Sequence, residues 1–248
     1  MIEKIFIVML IFGIFCGKIN GQIITDRPDQ TESSSTVSKG GLQIESGFLI
    51  GYEEQDQLSI RQVLLPTNLF RYGITNSIEI RILNQFEMLK IDEKQLDGIS
   101  DLELGTKIQL IKGGHKNIEA AFLSHLIIPI GTENLTGNKI GTINKISISH
   151  EISETLEVGY NLGYNFIEEG NGDFTYSLAL GIGINEKVRI YIEPYGEITN
   201  MEVFIANFDA GFTYLVNKNL QLDFSFGTGI NQSMNYISIG GSWLIEKE

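Results

Sequence analysis

Charged side chains recur along otherwise apolar stretches of this sequence: Arg71, Glu79, Arg81, Asp101, Glu103, Lys107, Arg189 and Glu193 mostly stand beside aliphatic or aromatic residues. Successive side chains of a strand point to opposite faces, so these charges share one face of extended chain. Facing a pore, they would form a selectivity ladder, because rings of charge set ion preference. Paired across neighbouring strands, they would instead neutralise one another. A polar stretch, TDRPDQTESSSTV at 25–37, adds Asp26, Arg27, Asp29 and Glu32. Folded against the charged face it would be a plug; left free it would be a disordered leader. Ser124-His125 and Ser149-His150 supply nucleophile and base types, but adjacent strand residues face opposite ways and no third triad member is legible. An outer-membrane lipase is therefore the remotest reading, and the expectation is a protein that is not an enzyme. No phosphate loop, metal-ligand spacing or nucleotide fingerprint occurs, so no cofactor and no metal are expected. A net charge of −13 argues against a nucleic-acid partner.

The elements that carry these residues read as strands. The stretch TLEVGYNLGYNF at 155–166 alternates without a break, with Leu156, Val158, Tyr160, Leu162, Tyr164 and Phe166 on one face and Glu157, Gly159, Asn161, Gly163 and Asn165 on the other. Similar segments lie near 41–52, 57–74, 76–90, 99–111, 117–130, 139–151, 155–167, 173–185, 187–198, 203–216, 219–231 and 235–246, twelve in all. They are longer than the usual five or six residues of soluble strands and suit a tilted membrane crossing of about nine to eleven. Connections alternate between longer acidic or glycine-rich loops (53–57, 91–98, 131–139, 168–173) and tight turns (75–77, 153–155, 185–187, 217–219). The tight turns lead into a repeated pattern of aliphatic, polar, aliphatic residues at Ile78, Ile118, Leu156, Val188 and Leu220, one per hairpin. Ahead of the strands, MIEKIFIVMLIFGIFCGKINGQ has Lys4, an apolar core from Ile5 to Phe15 and Gly21 before Gln22. This predicts a cleaved signal peptide over 1–21, which takes the single cysteine, Cys16, with it. The expected domains are that peptide, a polar segment at 22–39 and a barrel at 40–248.

The wet face must be the inner one. Charges cost about 2 to 4 kcal/mol on the lipid side at mid-membrane, which sends them to the lumen. The polar face also repeats glycine, as at Gly181, Gly183, Gly227 and Gly229, and small residues leave room inside a narrow curved wall. Aromatic residues cluster near strand ends, with Phe86, Tyr164, Phe166, Phe174, Tyr176, Phe204 and Tyr236 toward the long loops and Phe70, Tyr72, Tyr214 and Trp243 toward the tight turns. Two such belts match membrane interfaces. The predicted fold is all-β: a 12-stranded antiparallel transmembrane β-barrel, in contact with outer-membrane lipid.

The segments TDRPDQTES (25–33), GGLQIESGF (40–48), FRYGITNSIEIRI (70–82), GISDLELGTKIQL (98–110) and LIIPIGTEN (126–134) resemble the MetA-pathway phenol-degradation family. The resemblance implies a transporter-like barrel in the outer membrane of a Gram-negative-type bacterium, passing small, hydrophobic or aromatic solutes. Barrels of this kind commonly finish on an aromatic residue read by the barrel-assembly machinery, a further expected partner. This chain finishes WLIEKE, which leaves Trp243 or Ile245 as candidates for that signal. The alternative reading is a non-conducting structural or adhesive barrel acting through its acidic outer loops.

Overall fold

The computed structural model describes residues 23–55, 58–113, 117–167 and 170–246. The expected signal peptide lies outside the described residues. From 42 onward the alternating segments form thirteen antiparallel strands: β1 (Leu42–Gln55), β2 (Leu58–Thr75), β3 (Ile78–Ile91), β4 (Lys94–Ile99), β5 (Leu102–Ile111), β6 (Ile118–Ile128), β7 (Gly141–Ser153), β8 (Leu156–Phe166), β9 (Asp173–Gly183), β10 (Val188–Thr199), β11 (Val203–Asn217), β12 (Leu220–Gly229) and β13 (Ser233–Ile245). Consecutive strands pair, except that β4 and β5 both pair with β3, and β1 closes onto β13 from Leu42 opposite Ile245 to Glu54 opposite Ser233. Closure of β1 onto β13 removes the open edges of the wall, the condition for a sheet in lipid; the short β4 alone pairs on one side, with β3.

Thirteen strands make twelve wall positions. The outer part of β3 pairs with β4, from Phe86 opposite Ile99 to Ile91 opposite Lys94, and its inner part pairs with β5, from Ile78 opposite Ile108. The fourth wall position is thus one strand broken at Ser100 and Asp101. This corrects the expectation of a long outer loop over 91–98. Asp92 takes a left-handed φ of 49°, which lets the chain turn within two residues and carry on pairing. The charge-rich composition of that stretch hid its alternation, because strand ends beyond the membrane need no apolar face.

The two faces sort as lipid outside and polar groups inside. Ile80, Leu104, Leu126, Ile146 and Leu162 form part of an apolar exterior, each 38–51% exposed. An apolar surface of that extent is unstable in water and belongs in a bilayer. Inside, Gln43, Glu45, Arg71, Glu79, Arg81, Lys107, Glu193 and Asp209 are almost completely buried. Tyr236 departs from expectation. It shares parity with Ser238 and Ser242, so it points into the barrel rather than joining the outer aromatic belt.

Candidate functional site

Residues 23–39 follow an irregular path inside the barrel and touch polar side chains around its wall. Asp26 is the centre of one contact set. Its carboxylate accepts hydrogen bonds from Lys107 Nζ at 2.9 Å to both oxygens and from Arg81 Nη1, and lies 3.3 Å from Arg71 Nη1. The same cations hold wall carboxylates: Arg71 Nε donates to Glu79 at 2.9 Å and its Nη1 to Glu45 at 2.9 Å. Arg81 Nη2 reaches Glu32 at 2.9 Å. Arg81 Nε also donates to His125 Nε2 at 2.9 Å. That contact makes Nε2 the acceptor, so Nδ1 carries the proton and donates to Glu103 at 2.8 Å. Three cations therefore face Asp26, Glu45 and Glu79, all almost closed to solvent, and the 18%-exposed Glu32; buried charges of this kind must be paired. Burial alone would raise the Asp26 carboxyl, but Arg71, Lys107 and Arg81 together hold it well below the usual carboxylate range.

Backbone groups of the segment are also taken up by the wall. Glu79 accepts from the Val37 amide at 2.7 Å, Glu193 from that of Gln30 at 2.7 Å, and Asn161 from that of Glu32 at 2.6 Å. The Ser33 carbonyl accepts from Lys107 at 2.9 Å and that of Ser35 from Arg71 at 3.0 Å. A chain without regular structure needs such partners wherever water is excluded. Arg27 crosses to the other side, where its Nη2 meets Asp223 at 2.9 Å and Ser238 at 3.0 Å. Its guanidinium lies over Gly47 and Gly240, where any side chain would come within about 2.5 Å of it. His125 lies over Gly105 and Arg189 over Gly181 in the same way. The repeated inward glycines are thus the hollows in which long inward side chains rest.

The residues expected to act together divide into groups. Arg71, Glu79, Arg81 and Lys107 are joined through Asp26 and Glu32, while Glu103 is linked through His125. Arg189 stands apart near the tight turns, paired with Glu157 at 2.6 Å where both are partly exposed. Glu193 and Asp29 lie on the opposite side from the cations, with Asp209. There burial, then Glu193, then Asp209, push the Asp29 carboxyl well above the usual range. Asp101 does not join the inner wall. It sits in the break between β4 and β5 and accepts from the amides of Gly131 and Gly137, each at 2.9 Å, and from the Thr136 hydroxyl, so it ties down the loop after β6. Sequence reasoning missed Glu45, and it singled out His125 only as a base type beside Ser124, not as a partner of Arg81 and Glu103. Strand parity would have found Glu45, since it alternates with Ile44 and Ser46 in step with Gln43 and Gly47.

The serine and histidine pairs are separated as strand geometry requires. Ser124 points outward and donates to Asn144 at 2.8 Å, whereas His125 points inward. Ser149 points inward to the Ser34 hydroxyl at 2.7 Å, whereas His150 points outward to Tyr160 at 3.2 Å. Neither serine has its neighbouring histidine within reach. Among the described residues no group of three or more His, Cys, Asp or Glu side chains is disposed to hold a metal ion. A cavity of about 660 Å³ opens toward the tight turns, bounded by the segment and the wall from β6 round to β12.

Comparison with known proteins places this geometry. An outer membrane channel from Pseudomonas putida F1 has a similar fold, with a TM-score of 0.73 at 10% identity over 86% of this chain and 98% of that one. The KdgM porin in complex with disordered oligogalacturonate gives 0.58 at 10% identity, over 82% and 99%. The NanC porin gives 0.50 at 10% identity, over 80% and 98%. At such identities the likeness is one of fold. No curated relative matches the sequence. The family model described as "Putative MetA-pathway of phenol degradation" matches residues 25–242, which takes in both the inner segment and nearly the whole barrel, and the chain belongs to that family.

Proposed function

We propose that this protein is an outer-membrane barrel for passive, selective passage of small hydrophobic or aromatic solutes, with residues 22–39 as a plug held in its lumen. The observation that carries the reading is the docking of that segment. Asp26, Arg27, Gln30, Thr31, Glu32, Ser34 and Val37 meet wall groups from β1 round to β13, so the segment lies across the bore. In this reading Arg71, Glu79, Arg81 and Lys107 clamp the plug, a structural use of charges that would otherwise line an open pore as a ladder. Twelve strands fall between small filled barrels and wide water channels of 16–18 strands, so a path narrowed by a plug fits the diameter. The fold of an outer membrane channel and of two porins supports passage as the role. The family description supports aromatic solutes as the class. The cavity of about 660 Å³ is large enough for one such molecule beneath the plug.

The test is single-channel conductance and solute flux in planar bilayers and liposomes, comparing the mature chain with one lacking Thr25–Val37. Steady conductance that rises on deletion is the expected result. No flux from either chain, with the barrel shown to be folded on an unboiled gel, would sink the passage reading and favour a non-conducting structural barrel.

A further inference from the structure

The side of the lumen opposite the cations carries negative charge that no ion pair answers among the described residues, although the charge of Lys145 reaches Glu193. Glu193 on β10 and Asp209 on β11 are directly opposed in the ladder, and both are 0% exposed. Asp29 of the inner segment is close enough for both to act on its carboxyl. Among the described residues none of these three takes part in an ion pair; Arg27 is paired with Asp223 at 2.9 Å, and Lys145 lies between Glu32, at 3.9 Å, and Glu193. Buried carboxylates without a counter-charge are costly, so protons or a bound cation must make up the deficit.

A second observation points to a ligand. Tyr191 is 7% exposed, yet its hydroxyl has no hydrogen-bond partner, and Asp209 Oδ1 receives no donor other than a proton shared with the Glu193 carboxyl. Tyr191 stands two residues before Glu193 on the same inward face, opposite Gly211, whose missing side chain leaves room for the ring: a Cβ there would lie 2.7 Å from Tyr191 Cε1. Tyr236 is seated over Gly227 likewise and donates to Asp209 Oδ2, leaving Oδ1 to face the Glu193 carboxyl, where an ammonium group would replace the shared proton. The cavity beneath the segment reaches Asp29, Thr31 and Tyr191. These carboxylates are not spaced to hold a metal ion. Carboxylates walled by phenol rings suit an ammonium group instead, which offers N–H donors to the open oxygens and charge to the ring faces.

We propose that Asp29, Glu193, Asp209 and Tyr191 form a subsite for solutes bearing a primary ammonium group, which donates to Asp209 Oδ1 and Tyr191 Oη. The proposal rests on the plug being docked, since Asp29 comes from it, and it narrows the hydrophobic or aromatic solutes of the proposed passage to those that carry a primary amine. The test is isothermal titration of ethylammonium chloride into the folded mature chain in detergent, with sodium chloride and phenol as comparison probes. Saturable ethylammonium binding is expected, weakened about tenfold or more by Asp209→Asn and by Tyr191→Phe, as for the loss of a hydrogen bond to a charged group. Tyr191→Phe removes a hydroxyl that supports nothing in the fold, so it keeps the test decisive if Asp209→Asn fails to fold. Absence of binding, unchanged affinity in both folded variants, or phenol or sodium binding as tightly as ethylammonium would overturn it. The readout needs no current: a barrel that binds ethylammonium but passes nothing refutes the passage reading alone. A conducting barrel indifferent to ethylammonium refutes the subsite alone.

Discussion

At the scale of single residues, Asp26 concentrates the charge chemistry of the lumen. One carboxylate faces Arg71, Arg81 and Lys107 with 2% of its side chain exposed. Removing one partner from such a cluster leaves the rest uncompensated, at a cost of about 3 to 5 kcal/mol for a buried pair. Asp26→Asn should therefore loosen the segment, read as faster proteolytic cleavage within 25–37 while the barrel stays intact; protection equal to wild type would remove Asp26 from this role. The pH dependence follows from two aspartates shifted in opposite directions from the ordinary value of 3.8. Asp26, held low by its cations, contributes to docking above that value and ceases to as pH falls through its docked pKa. Asp29, held high by burial and by Glu193 and Asp209, contributes fully below it and ceases to as pH rises through its docked pKa. Conductance of the full chain should then be lowest in weakly acidic solution and climb toward alkaline pH, while that of the truncated chain should not. A flat profile for the full chain would contradict this assignment.

At the scale of elements, alternation does two jobs at once. Asn161 is 3% exposed on the inner face of β8, hydrogen-bonded to the segment, while Leu162 beside it is 51% exposed on the outer face. Leu162→Arg should destabilise the barrel by about 2 to 4 kcal/mol if the site lies at mid-membrane. The measurement is a denaturant titration in lipid vesicles, and a variant as stable as wild type would mean that this face does not meet lipid. The inward glycines act at the same scale. Gly47, Gly105, Gly181, Gly211, Gly227 and Gly240 each lie where an inward side chain or the guanidinium of Arg27 approaches the wall, so a strand that loses packing at glycine regains it from its neighbour.

For the whole molecule, the barrel and its contents are held by different forces. Closure runs through backbone ladders, including the long β1–β13 register, to which residues 23–39 contribute nothing. The segment is held by side-chain ion pairs and hydrogen bonds to the wall. Deleting Thr25–Val37 should therefore leave a folded, heat-modifiable barrel, because the polar lumen can hydrate where the segment lay; a chain that no longer shifts on heating in a gel would show that the barrel needs its occupant. The lumen is also lopsided in charge. Cations gather beside β2, β3 and β5, and acids that no ion pair answers beside β10 and β11, with the segment spanning the two.

Fold class, the twelve wall positions and the outward face of β8 follow from the sequence by itself, and alternation puts Arg71, Glu79, Arg81, Lys107 and Glu193 on the face that the structure buries. Each depends on a period of two and on the cost of charge in lipid, both local properties of the chain. The β4 hairpin was not legible, because beyond the bilayer a strand loses the apolar face that makes it readable. Tyr236 was misassigned because position near a strand end suggested a belt, while its parity with Ser238 placed it inside. What the tertiary structure alone decided is which charges meet. Asp26 and Lys107 are far apart in the chain, as are Arg27 and Asp223, and no local pattern joins either pair; closing the barrel brings them to 2.9 Å. The same closure leaves Asp209 and Tyr191 with unanswered polar atoms, since which groups go unpaired depends on the whole circumference.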